Sequence, residues 1–220
     1  MKKILILIMP LMLLILGACG RVDESRNSEE IGRGDTYASE EEEHRTEWVS
    51  IDYHERDSIE ELAEAYHHVV RVKVLSKTYD MVNVGVRLPT ISDPAYAPIY
   101  RLMAIYEVLI LESFKGFYEA GDVIRVMHEG GSLANLTVIT GFAPFEIGDD
   151  LVLFLWHDEN AIERNMPPML TNPNQAAYRS PSLSLDIRMV NHGTELESLS
   201  PRNTLVLTVG DLLRIGGEVD

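Results

Sequence analysis

The sequence predicts a mainly β domain, built as a small closed barrel with a short helix near each end. Two observations support this fold class. Five or six short segments are rich in β-branched residues or alternate between apolar and polar positions, and glycines separate several of them. Short strands joined by glycine turns suit a small antiparallel barrel, and a small β-sandwich is the alternative.

The first predicted helix begins at Ser58. Ser58 and Glu61 have the spacing of a capping box, in which each side chain binds a backbone N–H of the first turn. The residues that follow, Val69–Leu75, are dense in β-branched side chains and predict a strand. His67 and His68 join helix and strand. Because consecutive strand residues point to opposite faces, we expect two exposed imidazoles that share no ligand.

The middle of the chain predicts a central strand over Tyr100–Glu112, because apolar residues occupy both of its faces. Before it, Val82, Val84 and Val86 alternate with other residues and predict a separate strand, followed by a loop with three prolines. The remaining predicted elements are strands at 123–127, 136–140 and 151–156, a loop at 160–178, a strand or hairpin within 178–190 and a short helix at 208–215.

Glycines lie at the predicted turns, where hairpins and bulges need positive φ angles. These glycines are Gly116, Gly121, Gly130 and Gly148. The first of these turns also carries Phe117 and Tyr118. We interpret this pair as exposed aromatic residues that could stack against a ligand, and therefore as the candidate ligand-binding residues.

The amino terminus has the pattern of a secretory signal. A short basic start, Met1–Lys3, precedes an uncharged apolar run, Ile4–Leu16. The run is shorter than the roughly 20 residues that a membrane-spanning helix needs. We therefore expect residues 1–18 to be a cleaved signal peptide.

The residues Leu16-Gly17-Ala18-Cys19 resemble the bacterial lipobox, in which an aliphatic residue and two small ones precede a cysteine. The resemblance implies cleavage after Ala18 and attachment of diacylglycerol to the thiol of Cys19. Since Cys19 is the one cysteine of the sequence, an intrachain disulfide is excluded. The resemblance predicts a lipid-anchored protein on the extracytoplasmic face of the cell membrane, with no cofactor besides the lipid.

Charge divides the expected mature chain into a tether and a folded domain. Residues 19–56 are rich in charged and small residues, include the run Glu40–Glu43, and predict a disordered acidic tether. Residues 57–220 form the predicted domain. The net charge of −16 argues against nucleic acid as a partner, because such binding depends on Lys and Arg that neutralise phosphates.

Turn and strand motifs between residues 66 and 156 resemble those of a loosely defined group of Gram-positive lipoproteins. The motifs are Phe114-Lys115-Gly116, Gly121-Asp122-Val123-Ile124-Arg125-Val126 and Gly148-Asp149-Asp150-Leu151-Val152-Leu153-Phe154-Leu155. This pattern is similar to the OB-like barrel of tissue metalloproteinase inhibitors and netrin-type modules. The resemblance implies an OB-like barrel. It does not imply the inhibitors' mechanism, which needs a free N-terminal cysteine, whereas Cys19 would be lipidated.

Two pairs of potential metal ligands follow predicted strands. His128 and Glu129 follow one strand, and His157 and Asp158 follow another. Imidazole and carboxylate are common zinc ligands, so the four residues would form a metal site if the two loops met.

No recognisable nucleophile motif, phosphate-binding loop or H-E-x-x-H motif occurs in the sequence, and no catalytic residue is predicted. We therefore expect a non-enzymatic binding or interaction module of the cell envelope, whose partner is an envelope protein or a small ligand. The alternative is an extracytoplasmic metal-dependent hydrolase that uses the strand-end histidines and carboxylates.

Overall fold

The computed structural model describes residues 43–50, 53–85, 98–180 and 186–218. All of them belong to the unit Glu41–Asp220. The predicted signal peptide 1–18, Cys19 and Val86 lie outside the described residues. In chain order the elements are β1 (Arg45–Trp48), α1 (Ile59–Ala65), β2 (His68–Asn83), β3 (Tyr100–Lys115), β4 (Val123–Glu129), β5 (Gly131–Leu133), β6 (Leu136–Ile139), β7 (Asp150–Leu155), α2 (Glu159–Glu163), β8 (Ala177–Arg179), a 3₁₀ helix (Ile187–Met189), β9 (Glu195–Ser198), β10 (Leu207–Thr208) and α3 (Val209–Ile215).

A long hairpin of β2 and β3 lies at the centre of the larger sheet. Each strand has 16 residues, and the antiparallel register runs from Val69 opposite Lys115 to Asn83 opposite Tyr100. The strand order is β10-β9-β8-β7-β2-β3-β4, with antiparallel pairing throughout. The start of β2 therefore lies between the carboxyl ends of β3 and β7.

The smaller sheet has the order β1-β6-β5. Strands β5 and β6 form a hairpin, whereas β1 pairs with β6 in parallel. Strand β5 begins two residues after β4 ends, and it lies against β2 and β3. Gly131 makes this possible, because its φ is 121° and a Cβ atom there would stand 2.2 Å from the ring of Tyr79.

The predicted closed barrel is wrong. Among the described residues, the larger sheet ends at β10 and β4 and the smaller sheet ends at β1 and β5, so neither ladder closes on itself. A barrel needs every strand to pair on both sides, and these four strands pair on one side within their sheets. The mainly β class with short helices near both ends is confirmed, and a β-sandwich or open sheet describes the arrangement better.

Several predicted elements are confirmed at their capping residues. The Ser58 side chain accepts a hydrogen bond from the Glu61 amide at 3.2 Å at the start of α1. Thr208 and Asp211 form a capping box at the start of α3. The separate strand predicted at Val82 is wrong, because β2 continues from His68 to Asn83 through a polar stretch that pairs with β3 along its whole length.

The carboxyl end of the predicted tether, 19–56, belongs to the folded unit. Residues 45–48 form β1. The buried Gln175 binds the backbone of Arg56 twice, because its Oε1 accepts from the Arg56 amide and its Nε2 donates to the Arg56 carbonyl, each at 2.9 Å. These contacts use backbone groups, so the polar composition of the segment gave no sign of them.

Apolar residues cover β3 on both faces, as its pattern predicts. Ala104, Tyr106 and Val108 belong to the main core, which also includes residues of α1 and α3. Met103 and Ile105 belong to a second cluster on the other face of the strand.

No helix among the described residues combines the length and the apolar content needed to cross a membrane.

One buried cation joins the three central strands. The Arg71 side chain on β2 is 2% exposed. Its Nε and Nη2 donate to the two carboxylate oxygens of Asp150 on β7 at 2.9 and 2.7 Å, and its Nη1 donates to Glu112 on β3 at 3.2 Å. The other oxygen of Glu112 accepts from the Ile187 amide at 3.3 Å. The guanidinium therefore links β2, β3, β7 and, through Glu112, the 3₁₀ helix.

We expect Arg71→Met to lower the unfolding free energy by about 3–5 kcal/mol, because the change leaves two partly buried carboxylates without their cation. Urea unfolding followed by circular dichroism measures the loss. Arg179→Met is the matched control, since Arg179 pairs with Asp149 at 3.3 Å with its side chain 49% exposed. An exposed pair contributes about 1 kcal/mol or less. Equal losses in the two variants would contradict the role assigned to Arg71.

Candidate functional site

The turn after β3 and the segment after β7 meet at the first residue of β2. This meeting follows from the antiparallel register, because the start of β2 has the ends of both neighbours beside it. Phe117 and Tyr118, the predicted ligand-binding residues, lie in the turn, and His157 lies just after β7. All three rings lie within 4.5–5.9 Å of the His68 ring, measured between centroids. We call His68, Phe117, Tyr118 and His157 the aromatic–histidine cluster.

His68 is buried, contrary to the prediction that both adjacent histidines are exposed. Its side chain faces inward while His67 faces outward, as alternation along a strand requires. Neither ring nitrogen of His68 has a hydrogen-bond partner. Burying an unsatisfied polar group costs about 1–3 kcal/mol, so the fold keeps this imidazole at a cost in stability.

Gly116 allows the turn to pack against His68. Its φ is 106°, and a Cβ atom at this position would stand 1.9 Å from the Nδ1 atom of His68. Any other residue would therefore clash with the imidazole and strain the backbone. Phe117, the next residue, is 61% exposed, and its ring makes a T-shaped contact with the His68 ring, with centroids 4.6 Å apart. An exposed aromatic ring thus covers an unpaired imidazole.

The other imidazoles of this region have hydrogen-bond partners. The Nε2 atom of His157 donates to the Met166 carbonyl at 3.0 Å, which leaves Nδ1 to accept from the Tyr118 hydroxyl at 3.2 Å. The Nδ1 atom of His67 accepts from the His157 amide at 3.0 Å. These bonds fix the neighbours of His68 in position.

Burial, and to a smaller extent the nearby His157, His67 and Lys115, lower the pKa of His68 from 6.5 to about 4. Burial also lowers the pKa of His157. His68 is therefore neutral at pH 7, with one nitrogen able to donate a hydrogen bond and the other able to accept one. A ligand that reaches it can use either.

The structure does not bring the four predicted metal ligands together. His128 donates from Nδ1 to the Glu129 carbonyl at 2.9 Å, and its Nε2 lies 3.3 Å from the Tyr106 hydroxyl. The Glu129 carboxylate pairs with Arg101 at 3.6 Å. Asp158 is the N-cap of α2 and accepts from the Ala161 amide at 2.8 Å.

Within the described ranges, no group of three or more His, Cys, Asp or Glu side chains could hold a metal ion. The described residues therefore give no support to the metal site predicted at the two strand ends.

A second concave region lies between the two sheets. It is a cavity of about 180 Å³, and we call it the inter-sheet cavity. Four of its lining residues carry aromatic rings, and the two glycines at the junction of β4 and β5 also line it. The lining residues are Tyr79, Ala104, Tyr106, His128, Gly130, Gly131, Val138, Ile139, Thr140, Phe142 and Pro144.

Sequence reasoning named Phe117, Tyr118 and His157 but assigned no role to His68. Alternation along β2 could have placed His68 on the inner face with Val70 and Val72. The inter-sheet cavity carried no comparable signal, because its rings come from four separate parts of the chain.

No protein-family model matches the chain, and no curated protein matches it.

Two buried histidines should make stability depend on pH. Burial lowers the pKa of His128 as well as that of His68 from 6.5 to about 4. Between these values the unfolded chain binds more protons than the folded chain, so the unfolding free energy falls as the pH is lowered from 6.5 to about 4. For the buried His128 the loss is on the order of 3 kcal/mol.

Urea unfolding at about pH 7.0, 5.5 and 4.5 measures how far the unfolding free energy falls as the pH is lowered. His128→Phe should reduce the dependence on pH, whereas His192→Leu, which removes an exposed imidazole, should retain it. Constant stability across this range would contradict the buried, neutral state of both rings.

Proposed function

We propose that the protein is a lipid-anchored lipoprotein of the cell envelope whose β domain binds a ligand without converting it chemically. The observation that carries the binding role is His68, a buried imidazole with two unpaired nitrogens beneath an exposed phenylalanine. Folding alone favours an apolar residue at such a position. A polar group buried there without a partner supports a role beyond folding.

The proposed ligand places a hydrogen-bonding group against His68 and an apolar surface against Phe117. Phe117 lies in a turn and is largely exposed, and the proposal requires that rotation of its side chain give a ligand access to the imidazole. Tyr118 and His157 are held by their mutual hydrogen bond and form the fixed wall of the site. The neutral state of His68 favours a ligand group that donates or accepts a hydrogen bond over one that needs a charged partner.

The anchoring role rests on the amino-terminal sequence. A basic start, an apolar run and the lipobox-like Leu16-Gly17-Ala18-Cys19 support lipidation on the outer face of the cytoplasmic membrane. A diacyl chain stabilises membrane attachment by about 0.8 kcal/mol for each buried methylene, enough to hold an acidic protein there. The Gram-positive lipoproteins with similar turn motifs are the group to which we propose that the chain belongs.

Metabolic labelling tests the anchor. When the full chain is expressed in a Gram-positive host with a clickable fatty acid, we expect label on the wild-type protein and its recovery with membranes. Cys19→Ala removes the thiol that carries the lipid, so both label and membrane recovery should be lost. Ser28→Ala serves as the control and should retain both. A labelled Cys19→Ala protein, or an unlabelled wild type, would overturn the anchoring proposal.

His68→Leu tests the binding role. Leucine has a similar volume and no polar atoms, so we expect the unfolding free energy to rise by about 1 kcal/mol. The readout is NMR of the His68 and Phe117 rings during titration with a panel of small sugars, amides and carboxylic acids. At least one class of compound should shift both rings in the wild type and bind at least tenfold more weakly to the variant.

The matched control is His192→Leu, which removes an exposed imidazole outside the aromatic–histidine cluster and should retain binding. Two results would contradict the binding role: a panel that leaves both rings unchanged in the wild type, or equal affinity of wild type and His68→Leu.

A further inference from the structure

The inter-sheet cavity is separate from the aromatic–histidine cluster, and the two have no residue in common. One wall is the β2–β3 hairpin, which contributes Tyr79, Ala104 and Tyr106. The opposite wall comes from the smaller sheet and from the segment that leads to β7. His128, at the end of β4, lies between the two walls.

Hydrogen bonds and stacking hold the rings of the cavity in place. His128 donates to the Glu129 carbonyl, and this leaves its Nε2 to accept from the Tyr106 hydroxyl at 3.3 Å. The imidazole also stacks on Phe142, with ring centroids 4.6 Å apart and an angle of 21° between the planes. The walls are therefore formed before any ligand enters.

The Tyr106 and Thr140 hydroxyls in the walls already have partners within the chain. The Tyr106 hydroxyl accepts from the Phe145 amide at 3.4 Å in addition to its bond with His128. The Thr140 hydroxyl donates to the Glu129 carbonyl at 3.0 Å and accepts from the Phe142 amide at 3.3 Å. Ring faces and aliphatic groups therefore make up most of the surface that a ligand meets. A charged group entering this space would lose its hydration without gaining a hydrogen bond from these two hydroxyls.

The size of the cavity limits what can enter. Its volume is about 180 Å³. An apolar protein cavity of about 150 Å³ is sufficient to bind benzene. The inter-sheet cavity therefore accommodates one six-membered ring with a small substituent, whereas a sugar chain or a peptide exceeds it.

A cation helps to hold two of the rings in place. The Lys77 ammonium lies 5.6 Å from the ring centroids of both Tyr79 and Tyr106, within the range of a cation–π contact. An aromatic ligand can set its electropositive edge against the electronegative face of a ring, whereas a saturated ring of the same size has no such edge.

We propose that the inter-sheet cavity is a binding site for an uncharged, single-ring aromatic compound, held between Tyr79, Tyr106, His128 and Phe142. The site is additional to the one around His68 and does not depend on it. Recognition rests on the shape and the ring faces of a preformed space.

Phenol and cyclohexanol form the test pair, since both carry one hydroxyl on a six-membered ring and only phenol is aromatic. Each is titrated into the full chain, purified in detergent, with NMR of the aromatic side chains as the readout. We expect phenol to bind saturably and to shift the rings of Tyr79 and Phe142. Cyclohexanol should bind at least about tenfold more weakly.

Val138→Phe provides an independent check, because Val138 lines the cavity and a larger side chain fills it. Phenol binding should fall at least tenfold in this variant. The control Val206→Phe makes the same change at an exposed position and should leave binding intact. The comparison of phenol with cyclohexanol in the wild type stands even if Val138→Phe does not fold.

Three results would overturn the proposal. Equal affinity for phenol and cyclohexanol would identify an unselective apolar space. Shifts confined to Phe117 and Tyr118 would place phenol at the aromatic–histidine cluster instead. Absence of saturable phenol binding would show that the cavity is a packing void. None of these outcomes would overturn the role of His68, which is tested separately.

Discussion

The buried Arg71 guanidinium is the interaction on which the arrangement of the domain depends. Removing a cation from water is expensive, and the cost is offset when carboxylates meet it with good geometry. Arg71 satisfies this condition with Asp150 on one neighbouring strand and Glu112 on the other. A shift of either strand by one residue would turn its carboxylate to the opposite face of the sheet. The ion pairs therefore specify the register of β2 against both neighbours.

The same register places the candidate binding site. His68 stands three residues before Arg71 on β2, so the strand that is fixed by the ion pairs also carries the imidazole. The ends of β3 and β7 arrive beside it and bring Phe117, Tyr118 and His157. Arg71, a buried and paired charge, thus fixes the position of the strand that carries His68, a buried imidazole without a hydrogen-bond partner. The first specifies the structure, and the second is the feature that folding alone does not explain.

Local patterns predicted the parts of the fold that local physics decides. The Ser58 and Thr208 caps satisfy helix amides within one turn, and the double-sided apolar pattern of β3 reflects its own burial. The positive φ angles predicted for the turn glycines are confirmed at Gly116, Gly121, Gly130 and Gly148.

Local sequence patterns could not predict which strands pair when they lie far apart in the sequence. Strand β1 is a charged segment with few apolar residues, and its order comes from backbone hydrogen bonds to β6, more than 80 residues away. The path of the chain after Gly131 likewise depends on its contact with Tyr79, which no local pattern records. The closed barrel was predicted wrongly for the same reason, because strand lengths and turns do not determine which sheet edges pair with each other.

The candidate binding site was likewise predictable from the sequence only where a local pattern determines the structure. Phe117 was predictable as an exposed aromatic residue in a turn. The partial burial of Tyr118 and the absence of a hydrogen-bond partner for His68 depend instead on contacts among three separate segments of the chain. Likewise, nothing in the sequence near His128 names Tyr106 as its partner, because the two residues meet only through the β3–β4 pairing.

Strand β1 limits how far the folded domain could lie from a lipid attached to Cys19. It fastens the chain to the smaller sheet from Arg45 onward, so the connection to a lipid on Cys19, as proposed, consists of the 26 residues from Cys19 to His44. A fully extended chain spans at most about 3.5 Å per residue, which gives a reach of about 90 Å. An anchored domain could meet its ligands only within that layer above the membrane, and every change in the length of residues 19–44 would alter the thickness of the layer it samples.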